Sequence, residues 1–150
     1  MQDIEDHETI LYDLGLHDYE PLVALWQQAG LSIRQTGRDG PAAFARQLTL
    51  GTQRVIGLRA ADRLVAAAVL THDGRKGWIN RLAVHPDWQR QGLASRLVTE
   101  AERWFTDDLG LEVWAALIEE ENAPSLALFD RLGFQRHAIV YVSKRRRAEA

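Results

Sequence analysis

Residues 78–105 join a strand to a helix through a glycine-bearing turn, and no other stretch constrains the chain as much. Ile79 to His85 reads as a strand, Pro86 stops it, and a short polar turn follows. Gly92 then opens a helix that carries Leu93, Leu97, Val98, Ala101, Trp104 and Phe105 on one face. The first amides of a helix have no partner inside it, and the helix dipole favours negative charge there. Such a junction makes a site for an anion such as a phosphate. Gly92 has no Cβ to hold a ligand away from the backbone, and Ala94 and Ser95 are small. The amides of about Arg90 to Ser95 are the expected cradle. Other phosphate loops fit worse, since neither Gly-x-x-x-x-Gly-Lys-Ser/Thr nor Gly-x-Gly-x-x-Gly occurs.

The length of 150 residues predicts one domain spanning 1–150, large enough to bury a core unaided. A formal net charge of −3 argues against general nucleic-acid binding, and the basic tail Lys144 to Arg147 is too short to reverse that. The chain has no cysteine, which removes disulfides, thiolate metal sites and a cysteine nucleophile. The five histidines show no metal-ligand spacing, so no metal is expected. The acidic opening MQDIEDHETI lacks the apolar core of a signal peptide. No apolar run approaches the roughly 20 residues of a membrane span, and a cytoplasmic protein without membrane partners is expected.

Periodicity and turn residues give the order β-α-α-β-β-β-α-β-α-β. Strands are expected at Thr9–Leu14, Arg54–Arg59, Leu64–Thr71, Trp78–Val84 and Leu111–Ile118, with a last strand or bent pair at Phe134–Ser143. Helices are expected at Tyr19–Gln28 behind an Asp18 cap, Pro41–Leu50, Gly92–Asp107 and Asn122–Leu132. The apolar run from Leu111 suits a strand buried on both faces. Hairpins followed by strand–helix–strand units predict an α/β (α+β) fold, a mixed sheet with helices on its faces.

Two motifs carry a resemblance to a known family. Gln89-Arg90-Gln91-Gly92-Leu93-Ala94 matches Arg/Gln-x-x-Gly-x-Gly/Ala, and Leu82 to Pro86 precedes it. Asn122, with Leu128-Phe129-Asp130-Arg131-Leu132-Gly133-Phe134, forms the second. Together they resemble the GNAT N-acetyltransferase superfamily, well over about residues 53–143 and by element order alone before that. The resemblance implies a mainly antiparallel mixed sheet and an acyl-CoA co-substrate, most simply acetyl-CoA. It implies cofactor contacts from Leu82, Ala83, Val84, Gln89, Arg90, Gln91, Gly92, Leu93, Ala94, Ser95, Asn122 and Phe129. The backbone of Leu82 and Val84 would pair with the pantetheine arm. An N–H near Leu82 or Ala83 would hold the developing oxyanion. The partner implied is a small-molecule or peptide amine, attacking the thioester directly in a ternary complex.

The family often places a tyrosine acid where this chain has Phe129, which has no hydroxyl. Ser125, one helical turn earlier, and Tyr141, in the expected last strand, are the hydroxyls that could substitute. Each also has an ordinary reading, Ser125 as a helix-start residue and Tyr141 as a sheet aromatic. Glu119, heading Glu119-Glu120-Glu121, is the candidate base, although an acidic run before a helix needs no catalytic reason. Asn80 and Arg81 are not bases at neutral pH, but Asn80 could orient water or substrate. Arg34, Arg38 and Asp39 could grip a carboxylated amine. The missing tyrosine keeps a rival open, an acyl-CoA-binding sensor without turnover. An exposed last strand would make sheet-edge pairing a route to a homodimer.

Overall fold

The computed structural model describes residues 8–150; the acidic stretch ahead of them lies outside the described residues. Five strands form one sheet in the order β1-β2-β3-β4-β5: β1 Thr9–Asp13, β2 Gln53–Ala60, β3 Arg63–His72, β4 Gly77–Val84 and β5 Trp114–Ala116. The first four are antiparallel neighbours, and β5 joins β4 in parallel. Four α-helices accompany them: α1 Tyr19–Gln28, α2 Pro41–Leu48, α3 Leu93–Arg103 and α4 Ala123–Arg131. This is the expected mixed α/β class, mainly antiparallel.

Successive strand residues point to opposite faces, and here both faces are apolar. Val55, Ala67 and Ala83 pack with Leu22, Trp26 and Phe44 of α1 and α2. Ile56, Leu58, Ala66, Ala68, Leu70 and Ile79 pack with Leu97, Val98 and Ala101 of α3 and with Leu128 and Phe129 of α4. The strands buried on both faces are therefore β2 and β3, which carry helices above and below. A π-helical turn, Trp104–Asp108, ends α3 and turns Phe105 into the core. Gly77 is required opposite it, because a Cβ there would lie 2.7 Å from the Phe105 ring. Arg54 on β2 ties the layers together, donating to Asp13 of β1 at 2.6 Å and to Glu100 of α3 at 2.9 Å.

Three expectations are corrected. Asp18 stands at the N-cap of α1 without capping it, since its carboxylate instead accepts the Gly15 amide at 2.9 Å. The run from Leu111 yields only the three-residue β5, flanked by Val113 and Leu117 at 54% and 61% exposure. It is an edge strand, paired with β4 alone. Residues 134–143 form no strand, and Ile139, Val140, Tyr141 and Val142 are 70–85% exposed. A β-prone run forms a strand only beside a partner, and the outer edge of β5 is not joined to it in the described residues. The end of the chain turns toward the α1–α2 loop instead, where Arg147 donates to the Thr36 carbonyl at 2.6 Å. No helix among the described residues is long and apolar enough to cross a membrane.

Candidate active site

β4 and β5 run together for only three pairs, Gly77 with Trp114, Trp78 with Ala115 and Ile79 with Ala116. β4 then continues to Val84 beside β3 only, so beyond Ile79 its β5-facing edge has no strand beside it. A slot opens there between the diverging strands. At its far end the chain passes Pro86–Trp88 as a single 3₁₀ turn and enters α3. Arg90 and Gly92 both have positive φ, 64° and 79°, which turns successive amides toward one side as an anion-binding nest requires. The Arg96 amide makes the first helical bond, to the Gly92 carbonyl at 3.0 Å. Among the described residues the amides of Gly92 to Ser95 have no partner within the chain. A Cβ on Gly92 would meet nothing within 4 Å, so the space in front of these amides is open. This is the geometry a pyrophosphate needs: several convergent N–H donors, a helix dipole and clear access.

The middle of the slot is set by a bulge. Ala67 of β3 pairs with Ala83, yet Val69 pairs with Asn80, so Arg81 and Leu82 together face one β3 residue. Arg81 takes a φ of 49°, a left-handed conformation that costs an ordinary side chain about 1–2 kcal/mol. Its guanidinium supplies the compensation. It donates to Asp39 at 2.7 Å and to the Ser32 carbonyl at 2.7 Å, and it lies 5.0 Å from the centre of the Trp26 ring. Asp39 is 8% exposed and also accepts the Arg34 amide at 2.6 Å. Burial pushes the Arg81 pKa down, and the Asp39 charge opposes that. Arg81 is thus a strut that fixes the bulge to the α1–α2 loop. Replacing Asp39 with Ala leaves a half-buried guanidinium without its counter-ion and the Arg34 amide without an acceptor. We expect a loss of about 2–4 kcal/mol in urea unfolding, or roughly 5–15 °C in thermal midpoint. A change under 0.5 kcal/mol would show that the strut does not bear on stability.

Beneath the bulge lies a cavity of about 570 Å³. Trp26, Phe44 and Val69 form its apolar wall, and Arg38, Asp39, Asn80, Arg81 and Glu119 are among its polar lining. Asn80 and Arg81 stand where β4 parts from β5, and Leu117 and Glu119 follow β5, so the cavity meets the mouth of the slot. Asn80 is oriented by a 3.0 Å bond to the Thr71 hydroxyl. The indole N–H of Trp26, 3% exposed, is the one buried side-chain polar atom without a hydrogen-bond partner among the described residues.

An anion cradle at one end of a parted strand pair and an open cavity at the other suit a reaction between a phosphate-bearing donor and a second substrate. Residues 17–134 match the acetyltransferase (GNAT) family. The chain belongs to that family. Acetyltransferases of Yersinia enterocolitica and Yersinia pestis are each 21% identical over 128 residues, covering 85% of this chain and 89% of theirs. Among solved structures, the aminoglycoside N-acetyltransferase AAC(6')-Iy bound to the bisubstrate analogue CoA-S-monomethyl-acetylneamine superposes with a TM-score of 0.77 at 17% identity, over 92% of this chain and 99% of that one. A PaiA N-acetyltransferase of Thermoplasma acidophilum in complex with coenzyme A gives 0.74 at 16%, over 85% and 90%. A ribosomal-protein-alanine N-acetyltransferase of Brucella melitensis gives 0.72 at 15%, over 91% and 99%. The acetyl donor of this family is acetyl-CoA, and the cradle and slot of this GNAT chain have the donors and the room to accept it.

The residues singled out from sequence fall into two groups. Leu82 to Val84 lie along the unpaired part of β4, and Gln89 to Ser95 form the turn and helix start, with the Gln89 side chain tied back to the Val84 carbonyl at 3.4 Å. Glu119 lines the cavity. The others lie elsewhere. Tyr141 is 70% exposed in the segment after α4 and does not line the cavity, because the strand expected to carry it is not formed. Ser125 gives its amide to Asn122 Oδ1 at 3.3 Å, so both serve the start of α4. Phe129 is 6% exposed and packs edge-to-face on Phe134 with ring centres 4.8 Å apart, which makes it a core residue. His85 is buried with Arg63 2.7 Å from its Nε2. No group of metal-ligating side chains occurs among the described residues.

Proposed function

We propose that this GNAT protein transfers the acetyl group of acetyl-CoA to a primary amine by direct attack in a ternary complex. The observation that carries the reading is the continuity of cradle, slot and cavity. A donor held by its pyrophosphate at Gly92–Ser95 and threaded along Leu82–Val84 would present its thioester at the cavity mouth. An amide near Leu82 or Ala83 holds the oxyanion that develops on the thioester carbonyl. Held donors of this kind commonly lower a barrier by about 3–4 kcal/mol.

The acceptor reaches the site as an ammonium, since a lysine-like amine has a pKa near ~10.4, and must lose a proton before it attacks. Glu119, on the cavity wall, takes that proton directly or through water, and Asn80 orients the nitrogen or the water. No side-chain acid is assigned to the sulfur. Phe129 has no hydroxyl, and Ser125 and Tyr141 do not line the cavity. A thiol with a pKa near ~8.5 leaves as thiolate without one. The test is CoA release from acetyl-CoA across amino acids, peptides, polyamines and aminoglycosides, beside calorimetry of acetyl-CoA alone. Turnover that requires an amine supports transfer. Binding without turnover on any amine supports the alternative of an acyl-CoA sensor.

A second copy of the chain is the proposed protein partner. β5 is a sheet edge flanked by exposed Val113 and Leu117, and Ile139–Val142 is an exposed β-prone run without a strand partner. Each is the complement of the other, and a two-fold pairing satisfies both at once. Light scattering on a sizing column is expected to give a dimer that Val140→Lys shifts to monomer. A monomer for the unaltered chain at micromolar concentration contradicts the pairing.

A further inference from the structure

Resting on the transferase reading, we infer that the acceptor is a small amine carrying its own carboxylate, of amino-acid or dipeptide size, and that Arg38 binds that carboxylate. The cavity lining holds four charged side chains, Arg38, Asp39, Arg81 and Glu119. Asp39 and Arg81 neutralise each other at 2.7 Å. One charge of each sign is left over. Arg38 stands on the α1–α2 loop with no ion pair or hydrogen bond to its guanidinium among the described residues. Glu119 stands on the other wall, beside the slot. A zwitterion complements that pair: its ammonium belongs beside Glu119 and the thioester, and its carboxylate beside Arg38.

The loop wall carries positive charge in excess. Arg34 and Arg38 both stand close enough to Arg81 to oppose its charge, and of the three only Arg81 pairs with the Asp39 carboxylate. The loop is held in this shape, with Arg34 and Asp39 bonded in both directions and the Arg38 carbonyl accepting Gln47 Nε2 at 2.9 Å. A polycation would set its ammonium groups against that wall. A polycationic acceptor such as the aminoglycosides of the structurally similar enzymes is therefore a poor complement. A volume of about 570 Å³ falls within the range of small-molecule sites.

The test compares acceptors that differ only in the carboxylate: amino acids, their carboxamides and their decarboxylated amines, with polyamines and aminoglycosides beside them. The inference expects kcat/KM for the carboxylated members to exceed that of their amides by about tenfold or more. In Arg38→Ala, KM for the carboxylated members should rise about tenfold, with rates on the amides and affinity for acetyl-CoA unchanged, and Arg38→Lys should recover part of the loss. Equal or better turnover of amides or polycations overturns the inference and leaves the transferase reading standing. An Arg38→Ala effect of the same size on acids and amides also overturns it. Acetyl-CoA binding with no turnover of any amine overturns both.

Discussion

Gly92→Glu abolishes acetyl-CoA binding in calorimetry, with an affinity loss of at least about 100-fold, or ~2.7 kcal/mol. The residue is the N-cap of α3 with a φ of 79°, and its missing Cβ faces open space. A glutamate there adds a carboxylate beside the amides proposed to hold a pyrophosphate, and its charge opposes that anion. Folding should suffer little. The added Cβ meets no neighbour within 4 Å, and the left-handed backbone costs about 1–2 kcal/mol. Gly92→Ala carries the same backbone strain without the charge, so a thermal melt of both variants separates strain from electrostatic blockade. Unchanged affinity in Gly92→Glu would mean that the phosphate cradle lies elsewhere on the molecule.

The second large effect is expected at Glu119. Glu119→Gln removes the carboxylate from the cavity wall and keeps its shape. At pH 7 kcat should fall by about 10²–10⁴-fold while acetyl-CoA affinity stays the same. The loss should shrink as pH rises toward the acceptor's own pKa, because more of the amine then arrives already deprotonated. A loss of less than about threefold, or one that does not diminish at high pH, would remove Glu119 from proton transfer. The whole Glu119-Glu120-Glu121 run would then be an exposed acidic approach to α4.

The parts legible in the sequence are those whose causes are local. The β4–turn–α3 junction is encoded within about 15 residues: a proline that ends the strand, a glycine that supplies positive φ, and apolar spacing that fixes the helix face. The turn Asp73–Lys76 between β3 and β4 is equally local, since the Asp73 carboxylate accepts the amides of Arg75 and Lys76 at 2.8 Å each. The cavity was less legible. Asp39 sits in a polar, glycine-punctuated stretch that reads as surface loop, and only contact with Arg81, 42 residues away, makes it a buried counter-ion. Arg81 gave no sign of a strut, because a bulge arises from strand register and leaves no composition signal. Trp26 and Phe44 are simply apolar residues in the sequence, and a cavity wall and a closed core share the same spacing. Phe134–Ser143 has the composition of a strand and not its structure, because pairing depends on a neighbour that composition cannot supply. The same absence carries Tyr141 away from the chemistry that its hydroxyl first suggested.

The most direct test of the account follows free CoA with a thiol reagent while acetyl-CoA and a carboxylated amine are mixed with the protein. The chain has no cysteine, so every thiol that appears is released CoA. The account predicts release that requires the amine, saturates in both substrates and disappears in Gly92→Glu. Acetyl-CoA that binds tightly yet releases no thiol with any amine would contradict it and leave an acyl-CoA sensor as the better description of this fold.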